Sequence, residues 1–270
     1  MPLAVCATPI GNLEDVTLRV LAQLKNADLV LCEDTRRTRI LLQRHGITAR
    51  LASYHEHNEA KRSAEMLPRL EAGETIALVS DAGLPGVNDP GMRLVSAARD
   101  AGVPVTVLPG PSAVETALVA SGFSFDRYQF AGYLPRGERA LGVFWEAVAG
   151  WPDVVVAFES PQRLPATLAS LAAAMPDRPT AVCRELTKAF EEVVRGPAQV
   201  VAEHFGTAPK GEITLVIGHA PARTTSNREA VAAVVELVGA GIRRRQAADL
   251  VARLTGASAN ALYRGSLDLV

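Results

Sequence analysis

Short apolar runs and longer stretches with apolar residues every three or four positions alternate through the first 120 residues. Leu3-Ala4-Val5-Cys6-Ala7, Leu29-Val30-Leu31-Cys32, Leu51-Ala52-Ser53-Tyr54, Ile76-Ala77-Leu78-Val79 and Val103 to Leu108 are brief, mostly apolar runs, as in strands covered on both faces. Between them, Val16, Val20, Leu21 and Leu24 mark a helix over about 16–25. A second helix opens at Glu33 to Thr38 and ends before Gly46, and a third, capped by Asn58, runs towards Gly73. A fourth starts with Asp89 as N-cap and Pro90 as first helical residue and stops at Gly102. A fifth opens on the capping-box spacing Ser112-x-x-Glu115 and reaches about Ser121. Five strands alternating with helices predict a parallel sheet wound by right-handed crossovers.

The pattern changes after residue 121. Phe123 to Pro135 is aromatic and turn-rich, with a strand near Gln129–Tyr133. Strands at Val154–Phe158, Thr180–Arg184, Glu192–Arg195 and Glu212–Ile217, with helices near 161–174 and 197–205, lie too close together for pure strand–helix–strand winding. The expected organisation is therefore an α/β domain over 1–121, a second over 122–219, and a small tail of two or three helices over 220–270. Arg243-Arg244-Arg245 opens the second tail helix after Gly239-Ala240-Gly241, an arrangement like a helix-turn-helix.

Composition narrows the class. The 270 residues are 48% hydrophobic and contain no apolar run long enough to span a bilayer, and Met1 to Cys6 lacks the basic region of a signal peptide. Cys6, Cys32 and Cys183 are widely separated, so buried reduced thiols in a soluble, cytoplasmic protein are expected. A net charge of −1 excludes a uniformly basic nucleic-acid protein, yet charge is uneven. Residues 36–62 hold seven basic groups against two acids, and residues 221–270 hold seven arginines against four. Both patches suit local contact with a polyanion or solvated helix faces. The chain lacks G-x-G-x-x-G, the P-loop and the G-x-S-x-G elbow, and His55-x-His57 has no third ligand nearby, so no metal is expected.

What remains is a row of bare turns at successive strand ends: Thr8–Asn12, Glu33–Arg37, Asp81–Asn88 and Pro109–Ala113. Open α/β sheets bind ligands at such carboxyl ends, and backbone left bare by Gly and Pro suits a nucleoside-like ligand. Thr8-Pro9-Ile10-Gly11-Asn12-Leu13, Glu33-Asp34-Thr35-Arg36, His55-x-His57-Asn58-Glu59, Val79-Ser80-Asp81-Ala82-Gly83-x-Pro85 and Asn88-Asp89-Pro90-Gly91 follow one another in order. Leu108-Pro109-Gly110-Pro111, Glu159-Ser160-Pro161-x-Arg163, Arg184-Glu185-Leu186-Thr187-Lys188 and Lys210-Gly211-Glu212 complete the series. From Leu3 to about Ile217 this series resembles the tetrapyrrole methylase superfamily, and within it the ribosomal RNA small subunit methyltransferase I subfamily.

The resemblance implies two α/β domains with S-adenosylmethionine in the cleft between them, usually in a homodimer, and 2′-O-methylation of a decoding-centre cytidine in 16S rRNA. Cofactor contacts then carry over to Pro9, Asp81, Ala82, Gly83, Ser112 and Ala113, with Phe158, Leu186 and the Gly211–Thr214 segment in the second domain. Methyl transfer from a sulfonium needs positioning and no metal, while a ribose hydroxyl gains from a proton acceptor. Glu33, Asp34, Glu185 and Lys188 are the candidates, with positioning alone as the alternative. Arg36, Arg37 and Arg39 beside the cleft and Arg243, Arg244 and Arg245 in the tail are candidate phosphate contacts, each equally able to be a solvated helix face. The near-neutral charge favours the assembled 30S subunit over free RNA as substrate. A corrin or porphyrin C-methyltransferase and a non-catalytic ribosome-binding protein are the rival readings.

Overall fold

A computed structural model describes residues 2–220 and 227–267. The chain forms two compact units, residues 1–148 with 153–218, and residues 149–152 with 219–270.

The first unit begins with β1 (Leu3–Cys6), α1 (Leu18–Asn26), β2 (Leu29–Cys32), α2 (Thr35–Arg44) and β3 (Leu51–Ser53). It continues through α3 (Glu59–Glu71), β4 (Ile76–Leu78), α4 (Met92–Asp100), β5 (Val105–Leu108) and α5 (Ala113–Ser121). The five strands are all parallel in the order β3-β2-β4-β1-β5, as the apolar runs predict. Strands β1, β2 and β4 are wholly buried because helices cover both faces. The connection from β1 leads past β4 to β2, whereas that from β4 leads past β1 to β5. The crossovers diverge at β1 and β4, and the loops leaving these two strands lie side by side.

The second sheet comes from β6 (Tyr128–Tyr133), α6 (Glu138–Ala149), β7 (Val154–Glu159), α7 (Leu164–Ala174), β8 (Pro179–Arg184), β9 (Glu192–Pro197), α8 (Ala198–His204) and β10 (Ile213–Ile217). Its order is β6-β7-β10-β8-β9; only β6 and β7 are parallel. The short spacer between β8 and β9 allows only an antiparallel return, whereas α8 carries the chain from β9 past β8 to β10. One apolar layer joins the two sheets: Ile10, Val114 and Leu118 meet Val154, Val156, Ala181, Cys183, Leu186 and Val216.

Four local expectations need correction. Helix α4 begins at Met92 behind Gly91, whose φ of 146° stops any earlier start; Asp89 is not its cap. The capping box does not form, because the Ser112 hydroxyl bonds the Glu115 carboxylate instead of receiving a backbone N–H. Asn58 holds the N-cap position of α3, but its side chain folds back to accept from the His55 N–H at 2.9 Å. Helix α6 was not foreseen; Leu141, Trp145 and Val148 form its buried stripe.

The second unit contains α9 (Asn227–Gly239), α10 (Arg244–Thr255) and α11 (Ala259–Gly265) around Ala230, Val234, Ala247, Val251 and Leu262. A three-residue turn, Gly256–Ser258, joins α10 to α11. Among the described residues no helix is long and apolar enough to cross a membrane.

Candidate methyl-donor cleft

The loop after β1 and the loop after β4 are tied together before any ligand arrives. Thr8 and Gly83 exchange both backbone hydrogen bonds, at 2.8 and 3.0 Å. The buried Thr8 hydroxyl also donates to the Ser80 carbonyl at 3.1 Å, and Ser80 Oγ donates to the Ala82 carbonyl at 3.1 Å. Gly83 adopts φ +76°, which an L side chain enters only with strain, although a Cβ would meet only ordinary contacts, Ile10 and the Pro111 carbonyl at 3.9 Å. We expect Gly83→Ala to cost about 1 kcal/mol, read as a modest fall in Tm.

From the other sheet, the turn Glu185 to Lys188 closes on the first loop. Glu185 and Thr187 both have positive φ, 52° and 65°, an unusual backbone for such residues. The turn is held because Glu185 Oε1 accepts from Lys188 Nζ at 2.8 Å and from the Glu212 N–H at 2.9 Å. Lys188 Nζ also reaches Glu212 at 2.9 Å, and Thr187 Oγ1 accepts the Asn12 N–H at 3.0 Å. Gly11 packs so tightly here that a Cβ would lie 2.6 Å from Thr187 Oγ1 and 2.7 Å from the Leu186 carbonyl. Gly11→Val therefore forces the two loops apart, and we expect cofactor affinity measured by calorimetry to fall more than about tenfold.

These loops enclose a cleft of about 260 Å³. Pro9, Gly11, Ala82, Asp81, Glu212 and Lys188 are on its walls, with an apolar side of Ile10, Leu13, Ile40 and Leu41. Of the residues singled out in the sequence, Pro9, Asp81, Ala82, Lys188 and Arg37 meet in this hollow. Gly83 stands behind it, its backbone N–H and C=O taken by Thr8. Leu186 is buried in the apolar layer between the sheets, where Ala113 and Phe158 also pack. Thr214 is 5% exposed on β10, opposite Phe158. Ser112 begins α5, and Gly211 faces the Glu185 side chain, where a Cβ would lie 2.4 Å from Cγ.

The acidic groups separate by environment. Asp34 caps α2 by accepting the Arg36 N–H at 2.8 Å, and bonds from the Arg36 guanidinium pull its carboxyl down to about 2. Glu185 is held below the usual carboxylate range by its bond from Lys188 and by the Glu212 N–H. Burial lowers the affinity of Lys188 for its proton, yet the Glu185 and Glu212 carboxylates outweigh it and the ammonium titrates higher than usual. Burial and the charge of Asp81 instead push Glu33 up. Asp89, taken from the sequence only as a helix cap, is pushed up to about 6 by burial and by neighbouring Glu33, despite a hydrogen bond with Ser80. Like-charge crowding at a cleft is a mark of functional carboxylates. The only sequence signal for Asp89 was its place in the Asn88-Asp89-Pro90-Gly91 motif.

The arginines differ as well. Arg37 Nη1 lies 3.5 Å from Asp81, whose other oxygen accepts the Asp34 N–H at 3.0 Å. Arg36 is paired to Asp34 at 2.7 Å, and Arg39 is exposed. In the tail, Arg244 bonds the Ser266 carbonyl and Arg245 donates to Asn260 at 2.8 Å, so both brace α10 against the α11 end; Arg243 is exposed at the α10 N-cap. All three cysteines are buried free thiols, with Cys6 and Cys183 pushed up to about 12 by burial. His55 and His57 contact each other edge-on, and no group able to hold a metal occurs among the described residues.

A parallel sheet with a second mixed sheet, and a carboxylate-bearing cleft between their loops, define a methyltransferase fold of the tetrapyrrole methylase type. Residues 2–202 match the Tetrapyrrole (Corrin/Porphyrin) Methylases. Solved neighbours share the fold at low identity: diphthine synthase superposes with a TM-score of 0.62 at 15% identity, covering 80% of this chain and 89% of that one. Uroporphyrin-III C-methyltransferase from Thermus thermophilus, solved with S-adenosylhomocysteine, gives 0.57 at 21%, covering 81% and 97%. The chain belongs to the tetrapyrrole methylase family and, within it, to the ribosomal RNA small subunit methyltransferase I group. A protein of that name from Mesorhizobium japonicum is 43% identical over 99% of this chain and 92% of its own. Another from Thermotoga maritima is 43% identical over 216 residues, 80% of this chain and 97% of its own length.

Proposed function

We propose that this protein uses S-adenosylmethionine to methylate the 2′-hydroxyl of a cytidine ribose in 16S rRNA. It acts in the cytoplasm, as a homodimer, on the assembled 30S subunit. The observation that carries this reading is a preformed cleft bearing Asp81 and Glu212 in a chain so similar to named rRNA methyltransferases. The donor carries a sulfonium cation and a flat purine ring, and the cleft offers two carboxylates and an apolar side. Pro9, Asp81 and Ala82 would hold it, with Gly83, Ser112, Ala113, Phe158, Leu186, Gly211 and Thr214 shaping the surround. When bound, it supplies an electrophilic methyl group.

The chain's own task is the acceptor. A ribose hydroxyl needs a carboxylate that is ionised at neutral pH yet still basic. Asp34 at about 2 is too weak a base, and Glu185 and Lys188 are consumed by each other. Glu33 and Asp89, both pushed up by burial and by the charge of Asp81 on the cleft wall, are the proton-accepting pair in this reading, with Asp89 at about 6. In this reading Arg37 on the cleft wall, with Arg36 and Arg39 on the same helix, receives phosphates, Arg39 being the one of the three without an ion pair among the described residues. Arg243 in the tail is the better placed of its three for the same work, since Arg244 and Arg245 already have partners. Dimerisation would cover the edge strand β5 and its neighbour α5, where Val107 and Val119 are exposed.

The test is methyl transfer to undermethylated 30S subunits, followed by mass mapping of the modified nucleoside. Label on a cytidine ribose is the expected result. Methylation of a base, or transfer only to a tetrapyrrole, overturns the choice of substrate.

A further inference from the structure

We propose that the β6–α6 corner, Tyr133 to Arg139, is a second RNA-docking edge, taking a single-stranded substrate segment through one stacked base and two phosphates. This rests on the reading that RNA is the substrate, but it names residues that neither the motif series nor the related proteins point to.

The corner packs against the loop that runs from Asp81 and Ala82 in the cleft wall towards α4. Gly132 lies so close to the loop before α4 that a Cβ there would stand 3.0 Å from Asn88 Oδ1. Burial, with the charges of Glu212 and Asp89, raises the Tyr133 phenol above its usual range. Yet 61% of Tyr133 is exposed, and its ring is braced edge-on by Phe158 at 5.7 Å between centroids. A fixed aromatic ring open to solvent at a cleft is a platform for an unstacked base.

Beyond it is a shallow hollow of about 570 Å³ lined by Arg136, Glu138, Arg139 and Val143. Both arginines are exposed, and neither forms an ion pair among the described residues. Glu138 sits in the first turn of α6, where the helix dipole accommodates its charge, so the corner keeps a local excess of one positive charge. Such a site offers two phosphate contacts rather than a broad attraction.

The loop is also anchored more firmly than a solvated turn requires. Arg163 Nη2 donates to the carbonyls of Leu134 and Pro135, at 2.8 and 2.9 Å, just ahead of Arg136. Arg163 is held in turn by the fully buried Glu159 carboxylate at 3.1 Å, which also accepts from Thr167 Oγ1 at 2.6 Å and the Ser160 N–H at 2.7 Å. The Glu159-Ser160-Pro161-x-Arg163 motif thus serves to fix the corner, which the cofactor cleft leaves unexplained. Rigid presentation lowers the entropy lost when a flexible strand docks.

The experiment compares wild type with Arg136→Ala/Arg139→Ala, the corresponding double Lys variant, Tyr133→Ala and Tyr133→Phe. Steady-state methylation of undermethylated 30S subunits is measured across a salt series, with S-adenosylhomocysteine affinity as control. The double Ala variant is expected to raise KM for the subunit about 10–100-fold and to flatten the log–log salt slope by about 1–2 units, with kcat and cofactor affinity unchanged. The double Lys variant keeps most of the slope. Tyr133→Ala raises KM about 5–50-fold while Tyr133→Phe stays near wild type, because stacking needs the ring and not the hydroxyl. Wild-type KM and slope in both Ala variants overturn the proposal, as does a parallel loss of cofactor affinity, which makes the corner merely structural. If wild type binds the cofactor but modifies no RNA, the substrate reading itself has failed.

Discussion

Asp89→Asn is expected to lower kcat by about 10²–10⁴-fold while leaving S-adenosylhomocysteine affinity within a few-fold of wild type. The carboxylate accepts the hydroxyl proton only when ionised, so the wild-type rate should rise with pH and level off above about 6. Glu33→Gln removes one of the charges that raise Asp89, so the same rise should move to lower pH. A Glu33→Gln profile that stays in place would show that the two carboxylates do not act as a pair. The stability arm has the opposite sign. Asp89 titrates at about 6 in the fold against an ordinary 3.8, so the folded state keeps the proton longer. Stability is greatest below the lower value and falls as pH rises through about 6. Asp89→Asn should therefore stabilise the protein at pH 8 by roughly 1–2 kcal/mol once partial exposure is allowed for, read as a higher Tm, and change it little at pH 3.

Arg163→Ala should destabilise the protein by about 3 kcal/mol in denaturant unfolding, more than any surface arginine. The Glu159 side chain has no solvent exposure, and removing Arg163 leaves its charge buried with only a hydroxyl and an N–H for partners. Glu159→Gln in the same background should recover much of the loss, since an uncharged amide can still accept from Thr167. If the double variant is no better than Arg163→Ala alone, the cost lies in the lost bonds to Leu134 and Pro135 rather than in the stranded charge. Comparing the two variants separates anchoring of the corner from electrostatics in the core.

The strands of the first sheet were legible because burial on both faces writes itself as uninterrupted apolar residues, as in Leu29 to Cys32. Helix α6 was missed because Gly142, Val143 and Phe144 disfavour helix locally, and only packing of Leu141, Trp145 and Val148 against the second sheet overrides them. Ser112, Asn58 and Asp89 all carry cap-forming chemistry, and in each the side chain found a stronger partner than the helix end. For Ser112 that partner is Glu115, for Asn58 the turn at His55, and for Asp89 the Ser80 side chain. The candidate bases in the sequence, Glu33, Asp34, Glu185 and Lys188, could not be ranked by residue type; the structure pairs Asp34 with Arg36 and Glu185 with Lys188, and crowds Glu33 against Asp89, which was not among the candidates.

By itself the sequence determined the α/β class, the ordered bare turns at the strand ends and the kinship those turns carry, because these depend on residue type and short-range spacing. The strand order that sets the β1 and β4 loops side by side, the closure of the Glu185–Lys188 turn on Gly11, and the different surroundings of the several acids were decided only in the tertiary structure. Each of these depends on charge and packing between residues far apart in the chain, and no local pattern records such distances.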